Sequence, residues 1–356
     1  MSAAKKTVVV GMSGGVDSSV AAFLLARQGY EVIGLFMHNW EEDEDGHCTS
    51  AEDWADALAV ANKLKLPCYS VNFAREYQER VFADFLDAYK KGRTPNPDVL
   101  CNREIKFGPF SAYAKKLGAD FVATGHYCAV AHYADDTHLL CAADRNKDQT
   151  YFLNQVRTAQ LENVLFPLGG LQKTEVRKIA AREGLVTAKK RDSTGICFIG
   201  ERKFRAFLKT YLPAQPGDIV DTTGKTVGRH EGLMYYTPGQ RRGLDIGGVA
   251  GAPPGRWYVV GKDLAANRLT VSAGEGDELY ANSLTASGLN LIGRFTQTDF
   301  SCQVRTRHRQ EMQAARAVIE GDRLTLRFDK PQRAVTPGQY AVLYLDGRCL
   351  GGAMID

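Results

Sequence analysis

No apolar run in this 356-residue chain approaches the roughly 20 residues that a membrane-spanning helix needs, so no such helix is expected. Its eight cysteines (Cys48, Cys68, Cys101, Cys128, Cys141, Cys197, Cys302 and Cys349) include no C-x-x-C pair. Structural zinc and iron–sulfur sites usually use such pairs, so neither is expected, nor is any other resident metal site. The N-terminus, MSAAKKTVVVG, enters a strand directly without a secretory signal. A cytoplasmic chain with thiols, not a disulfide framework, is therefore expected. There is no internal repeat and no low-complexity tract. A net charge of +4 is too small to identify a nucleic-acid partner by itself. What remains is a globular composition, 44% hydrophobic and 24% charged, long enough for two or three domains.

The most informative stretch is TVVVGMSGGVDSS, Thr7 to Ser19. A β-branched run stops in small residues and restarts as a helix, which leaves several backbone N–H groups aimed at one spot. Free donors and the helix dipole together favour an anion there. Gly14 and Gly15 allow close approach to phosphate, and the Ser13 and Ser18 hydroxyls add donors. Asp17 is the odd member: a carboxylate beside phosphate needs an intervening cation such as Mg²⁺, unless it only caps the helix. It is expected at a solvent-facing edge. The fingerprint G-x-G-x-x-G and the Walker lysine are both missing. The segment is instead similar to the SGGxDS loop of ATP-pyrophosphatase, or PP-loop, enzymes, which cleave ATP to AMP and pyrophosphate.

Strands are expected at Thr7–Met12, Glu31–Met37, Cys68–Asn72 and Phe121–Thr124. Helices are expected at Ser19–Gln28, Ala51–Lys65, Arg75–Lys91 and Glu104–Leu117. This alternation implies an open, mostly parallel sheet with ligands at the carboxyl ends of its strands, where Met37 and Gly125 fall. A helical, basic segment follows over residues 149–212, interrupted by a loop at 191–200. After Pro213, short strands with turn signals suggest a small mixed or β central domain, and alternating segments from Leu279 suggest an antiparallel barrel. The expected divisions are 1–203, 204–276 and 277–356.

Two cysteines stand apart. Cys101 follows two X-Pro steps in RTPNPDVLCNREIKF, and a helix is expected to begin just after it. With Arg103 and Lys106 in the first turn, its thiol is expected to ionise readily. Cys197 lies in the polar loop DSTGICFIG. Asp98 either assists proton transfer or holds a base edge; a simple Asn-Pro-Asp turn is the bland alternative. The lysine-rich stretch 173–191 reads as a solvated helix face. Arg305, Arg307 and Arg309 alternate in QVRTRHRQ, which on a strand aligns them on one face toward an anionic partner. The acidic run Glu41 to Asp45 reads as an exposed loop. ATP activation of a carbonyl oxygen, a cysteine nucleophile or persulfide, and an arginine-bearing C-terminal domain together point to an RNA base as substrate.

The whole chain resembles the tRNA-specific 2-thiouridylases, through GMSGGVDSS, LFMHNWEED, TPNPDVLCNREIKF, ATGHY, KDQTYFL, STGICFIGER, YTPGQRRGL, VRTRHRQ and VTPGQYAVLY. The resemblance implies an adenine nucleotide α-hydrolase-like N-terminal domain and transfer of persulfide sulfur to the adenylated C2 oxygen position of the wobble uridine. It places ATP, with Mg²⁺, on Gly11, Met12, Ser13, Gly14, Gly15, Val16, Asp17, Ser18, Met37 and Gly125. Asn96, Pro97 and Asp98 would meet the target base. Cys197 would carry the persulfide and Cys101 would be its partner nucleophile, so that turnover leaves a disulfide between them. His126, Lys147, Asp148, Gln149, Arg307, His308 and Gln339 would touch tRNA. The implied partners are tRNA and a persulfide carrier protein or cysteine desulfurase, with no membrane. His308 departs from the family pattern, which usually has Tyr there, and Asp245 is unusual without a functional account. A PP-loop ligase that adds nitrogen from ammonia and an RNA-binding protein with a degenerate nucleotide fold are the rival readings.

Overall fold

The computed structural model describes residues 5–40, 50–192, 204–247 and 255–356. The first strands are β1 (Thr7–Met12), β2 (Glu31–His38), β3 (Cys68–Asn72) and β4 (Phe121–Ala123). They are followed by β5 (Cys128–His132), β6 (Thr137–Cys141) and β7 (Val164–Leu165). Five of these form one parallel sheet in the order β3-β2-β1-β4-β7. β1 is central, and Val8, Val9 and Val10 are fully buried, as the middle of a parallel sheet covered on both faces demands. Strand order reverses between β1 and β4, so the loops leaving these two strands flank the switch-point crevice. Helix α1 (Val16–Arg27) is buried along most of its length, and small residues such as Ser19, Ala21 and Ala22 let it lie close to the sheet.

The other expected helices appear with altered ends. Helix α2 spans Ser50–Leu64, and a continuous helical stretch runs over 74–90 with a wide turn at Gln78–Phe82. A second stretch over 97–116 is kinked at Phe107–Gly108, next to Pro109. It begins at Pro97, not after Cys101. Proline suits the first helical position because the N–H it lacks has no intrahelical partner there. The expected long helical segment at 149–212 is broken into short pieces around the helix Lys173–Arg182, and it includes the two-residue strand β7.

The central strands β8 (Gly217–Asp221), β9 (Thr226–His230), β10 (Trp257–Asp263) and β11 (Arg268–Ala273) make a mixed sheet in the order β10-β11-β8-β9. Asp245 sits just beyond, with φ +50. Aspartate tolerates that left-handed backbone better than most residues, which accounts for it without a chemical role.

Strands β12 (Tyr280–Leu291), β13 (Asp299–Arg305), β14 (Gln313–Glu320), β15 (Arg323–Arg333), β16 (Tyr340–Leu345) and β17 (Arg348–Ile355) form an antiparallel barrel. Pairing of β12 with β17 closes it. One feature was not expected: the hairpin β5–β6 leaves the N-terminal sheet and extends the barrel sheet through β6–β17 pairing. No helix among the described residues is long and apolar enough to cross a membrane.

Candidate nucleotide cleft and basic groove

A cleft of about 350 Å³ opens at the switch point. Its walls include Gly11, Met12, Ser13, Gly15, Val16, Asp17, Ser18, Met37 and Gly125, nine of the ten residues assigned to ATP from the sequence. Gly14, the tenth, has φ +70, and a Cβ there would lie 2.3 Å from the Asp53 carbonyl oxygen. Only glycine fits that turn. Gly125 is a close approach of a different kind, since a Cβ would lie 2.7 Å from the backbone nitrogen of Ser18. The serines shape the loop: the Ser13 N–H donates to Ser18 Oγ, and both Ser18 and Ser19 hydroxyls donate to the Gly15 carbonyl.

Asp17 does not cap the helix. Lys173 Nζ donates to both of its oxygens at 2.7 Å, and the Tyr127 hydroxyl donates to Oδ1 at 2.9 Å. Its side chain is about one third exposed, so the expected solvent-facing edge is only partly realised. The cation that offsets this carboxylate belongs to the chain itself.

Lys173 corrects the reading of 173–191 as a solvated face. It is buried, and it also pairs with Asp192 at 2.9 Å. Asp192 gathers Lys147 at 2.8 Å and Arg177 at 2.7 Å as well. Burial pushes the Asp192 carboxyl up, but hydrogen bonds from Lys147 and Lys173 and their charges win, holding it at about 2. Lys190 reaches Asp53 and Asp56. The cleft thus carries Lys106, Lys147, Lys173, Lys190, Arg191 and Arg309 against Asp17, Asp53 and Asp192. That surplus of cations suits a polyphosphate. For Mg²⁺ the fit is narrower: among the described residues no three His, Cys, Asp or Glu side chains stand together as ligands. A magnesium ion here would ride on phosphate oxygens and water with at most one or two carboxylates.

A second cavity, about 740 Å³, lies between the turn 145–148 and barrel residues 303–312. It shares the lining residues Asn146, Lys147 and Arg309 with the nucleotide cleft, so the two adjoin. His126, Lys147, Gln149 and His308, read from the sequence as RNA contacts, all line the nucleotide cleft. His126 is buried, donates or accepts with Thr124 Oγ1 at 2.7 Å, and is held neutral by burial and by Lys106. His308 packs against Phe152 in a tilted arrangement, with ring centroids 4.3 Å apart.

Three RNA contacts expected from the sequence are placed otherwise. The Asp148 carboxylate is fully buried, accepting from the Ala142 N–H, the Thr150 hydroxyl and Arg305 Nη1, so it anchors its turn. The three arginines do not share a strand face. β13 ends at Arg305, the chain turns, and Arg309 has φ +63. Arg305 is buried against Asp148, and Arg307 donates to the carbonyls of Pro238 and Ala334 and to Thr336 Oγ1. Only Arg309 faces both cavities. The like charges are separated by a turn, so no external anion is needed to relieve them.

Cys101 also differs from its expected setting. It lies a turn inside the helix that starts at Pro97 and is buried in a core cluster with Tyr77, Phe85 and Ile105. Asp98, in the first turn, has its carboxyl raised by burial, with Lys106 opposing. Asn96 and Asp98 are partly exposed and Pro97 is buried. Gln339 holds this loop, donating to the Thr94 carbonyl at 2.8 Å. Cys48, Cys197 and the Glu41–Asp45 run lie outside the described residues. Sequence reasoning left Lys173 on a solvated face, gave Lys106 to the Cys101 thiol instead of to the cleft, and missed Tyr127 and Asp192. Lys173 carried a further signal, because a lysine in the first turn of a helix opposes the helix dipole and must be held by something else.

Three family profiles match successive parts of the chain. They are the tRNA methyl transferase HUP domain over residues 6–201, the tRNA methyl transferase PRC-barrel domain over 205–273 and the aminomethyltransferase beta-barrel domain over 281–355. The chain is 56% identical over 360 residues to the tRNA-specific 2-thiouridylase MnmA of Lactococcus lactis subsp. cremoris, covering all of this chain and 96% of the relative. It is 57% identical over 355 residues to the protein of the same name from Exiguobacterium sibiricum, covering 98% and 94%. The Staphylococcus carnosus protein, again of that name, is 56% identical over 354 residues, covering 98% and 95%. The profile descriptions speak of methyl transfer, but identity above one half along the full length is the stronger evidence. The chain belongs to the tRNA-specific 2-thiouridylase family.

Proposed function

We propose that this chain is an ATP-dependent tRNA-uridine 2-sulfurtransferase acting on the wobble uridine. The carrying observation is that two cavities adjoin: a PP-loop cleft suited to ATP borders a basic groove against the barrel, with Asn146, Lys147 and Arg309 lining both. The C2 oxygen of the uridine, on this reading, attacks the α-phosphorus of ATP, and the bond to pyrophosphate breaks. Asp98 takes the N3 proton, a role supported by its raised carboxyl beside the Asn96–Pro97 turn. The outer sulfur of a Cys197 persulfide then attacks C2 and AMP departs. Cys101, uncovered from its apolar cluster in this step, attacks the inner sulfur as thiolate, the electron pair of the S–S bond passes to the outer sulfur, and Asp98 returns the proton to N3 as the thiocarbonyl is freed. A Cys101–Cys197 disulfide remains, and an external thiol must reduce it. (Release of hydrosulfide by Cys101 before attack leaves the same disulfide.) A persulfide carrier protein or cysteine desulfurase supplies the sulfur, and Mg²⁺ accompanies ATP.

We also assign the first unit, ending near residue 203, to ATP and catalysis, and the units beginning near 204 and 277 to tRNA. Lys147 and Arg309 in the groove, with Gln149 and His308 in the adjoining cleft, are the side chains offered to RNA, while Gln339 braces the target-base loop.

Mass spectrometry of nucleosides from tRNA incubated with the chain tests this. 2-Thiouridine should form only with ATP and a persulfide donor. Cys101→Ser and Cys197→Ser should each abolish it, and Cys68→Ser should not. Thiolation surviving either of the first two changes would refute the cysteine mechanism.

A further inference from the structure

The turn Asn96–Asp98 hangs on a helix end that is held from outside its own sheet. The helical stretch over 74–90 closes on Gly92, whose φ of +70 lets the N–H groups of Gly92 and Arg93 fold back onto the carbonyls of Tyr89 and Ala88. Lys262 of β10 donates to the Gly92 carbonyl at 2.9 Å, which sets a cation at the negative end of the helix dipole. Burial alone pushes this ammonium down to about 8, and no carboxylate offsets it among the described residues. A lysine usually lays its stem on apolar surface and keeps its head in water, so adhesion between units is a weak reason to desolvate one. Holding a carbonyl in a fixed place is a stronger reason.

The same strand carries a second hold. The Val259 carbonyl accepts from the Gly239 N–H at 2.8 Å, and the Val259 N–H donates to the Gln240 carbonyl at 3.0 Å, so β10 carries the turn 237–240 beside it. The Thr237 hydroxyl of that turn lies 3.2 Å from the Thr94 hydroxyl. Leu264, just past β10, closes on Gly92 as well: a Cβ on residue 92 would lie 2.8 Å from its Cδ2. Between Thr94 and Asp98 the chain reads Pro95-Asn96-Pro97. Both prolines fix φ and restrict the residue before them, so a shift at Thr94 passes on to Asp98 instead of being absorbed.

We infer that Lys262 is a positioning residue for the reaction, with Thr237 as its second hold: through the stiff 94–98 link, β10 sets where the Asp98 carboxyl stands. The inference rests on the proposed meeting of this turn with the target base. Lys262 acts through the backbone alone. It gives no proton to the reaction, and its ammonium stays on the Gly92 carbonyl throughout. The central unit thus enters the chemistry by placing one carboxyl, apart from any contact it makes with RNA.

The test reads local order and rate in the full chain. Lys262→Met keeps the stem and removes the donor. Amide hydrogen exchange at Arg93, Thr94, Asn96 and Asp98 should then quicken by roughly tenfold or more, while amides of β1 and β11 stay within about threefold. In single-turnover, tRNA-dependent pyrophosphate release, the rate at saturating tRNA should fall about 10- to 100-fold, the loss expected when a reacting group is misplaced by about 1 Å. The tRNA concentration at half-maximal rate should stay within about threefold, and Lys262→Arg should recover most of the rate. Thr237→Val should move exchange and rate in the same direction by a smaller factor, which keeps the inference open to test if Lys262→Met folds poorly. Unchanged exchange at 93–98, faster exchange everywhere, or a local change with an unaltered rate would each show a merely structural contact and overturn the inference. Absence of tRNA-dependent release from the unaltered chain would instead defeat the adenylation reading.

Discussion

His308 shows how burial among cations sets the electrostatics of one ring. Burial pushes its imidazole down to about 4 from an ordinary 6.5, with Arg309, Arg305 and Lys147 adding repulsion. Its Nδ1 is buried with no partner among the described residues. Between pH 6.5 and 4 the unfolded ring binds a proton that the folded ring refuses, so the unfolded state holds more protons and stability rises with pH across that window. Above pH 6.5 both states are neutral and the effect ends. His308→Tyr keeps an aromatic ring against Phe152 and removes the titration. Melting temperatures measured from pH 7 to 4 should therefore fall less steeply in His308→Tyr than in the unaltered chain; parallel curves would count against this account.

The turn 145–148 and strand β13 are joined by the Arg305–Asp148 pair at 3.0 Å, both side chains buried. Removing one partner leaves an unpaired buried charge, which costs about 3–5 kcal/mol. Arg305→Ala should thus lower the melting temperature markedly, and its loss of tRNA affinity should track unfolding. Weaker tRNA binding at unchanged stability would restore the phosphate-contact reading. The same pair shows what the sequence made legible and what it did not. Alternation of the arginines suggested a strand through residues 305–309 but could not show that the strand ends at Arg305, because the following turn depends on the Gln310 side chain accepting from Thr306. The parallel sheet and PP-loop were legible because apolar strands and glycine turns are local signals. Strand β7 has two residues and no periodicity to read. Lys173 meets Asp17 only after folding, across 156 residues, so composition alone placed it on a solvated face.

At the scale of the molecule, the units share cores. Val9, Phe85 and Cys101 belong to one apolar cluster with Ile219, Val259 and Leu269 of the central strands. Cys128, Leu139 and Tyr151 pack with Val342, Tyr344 and Cys349 of the barrel. Between them the 92–94 segment is gripped from both sides: Lys262 donates to the Gly92 carbonyl, and Thr94 bonds to Pro337, Thr237 and Gln339. This places the Asn96–Asp98 turn where all three units meet, so that turn depends on their joint fold. The hairpin β5–β6 deepens the dependence, because it pairs with β17 and precedes the turn that walls the groove. A fragment of residues 277–356 would close its barrel through β12–β17, yet it would expose β17 and the apolar faces of Val342, Tyr344 and Cys349. Unpaired strand edges and bare apolar surface promote association. The full chain should therefore unfold in one transition, with amides of β6 and β17 exchanging at matched free energies. The isolated fragment should melt well below it or aggregate. A fragment melting at the temperature of the full chain would mean that the barrel is autonomous and that the groove is assembled by docking instead of by a shared core.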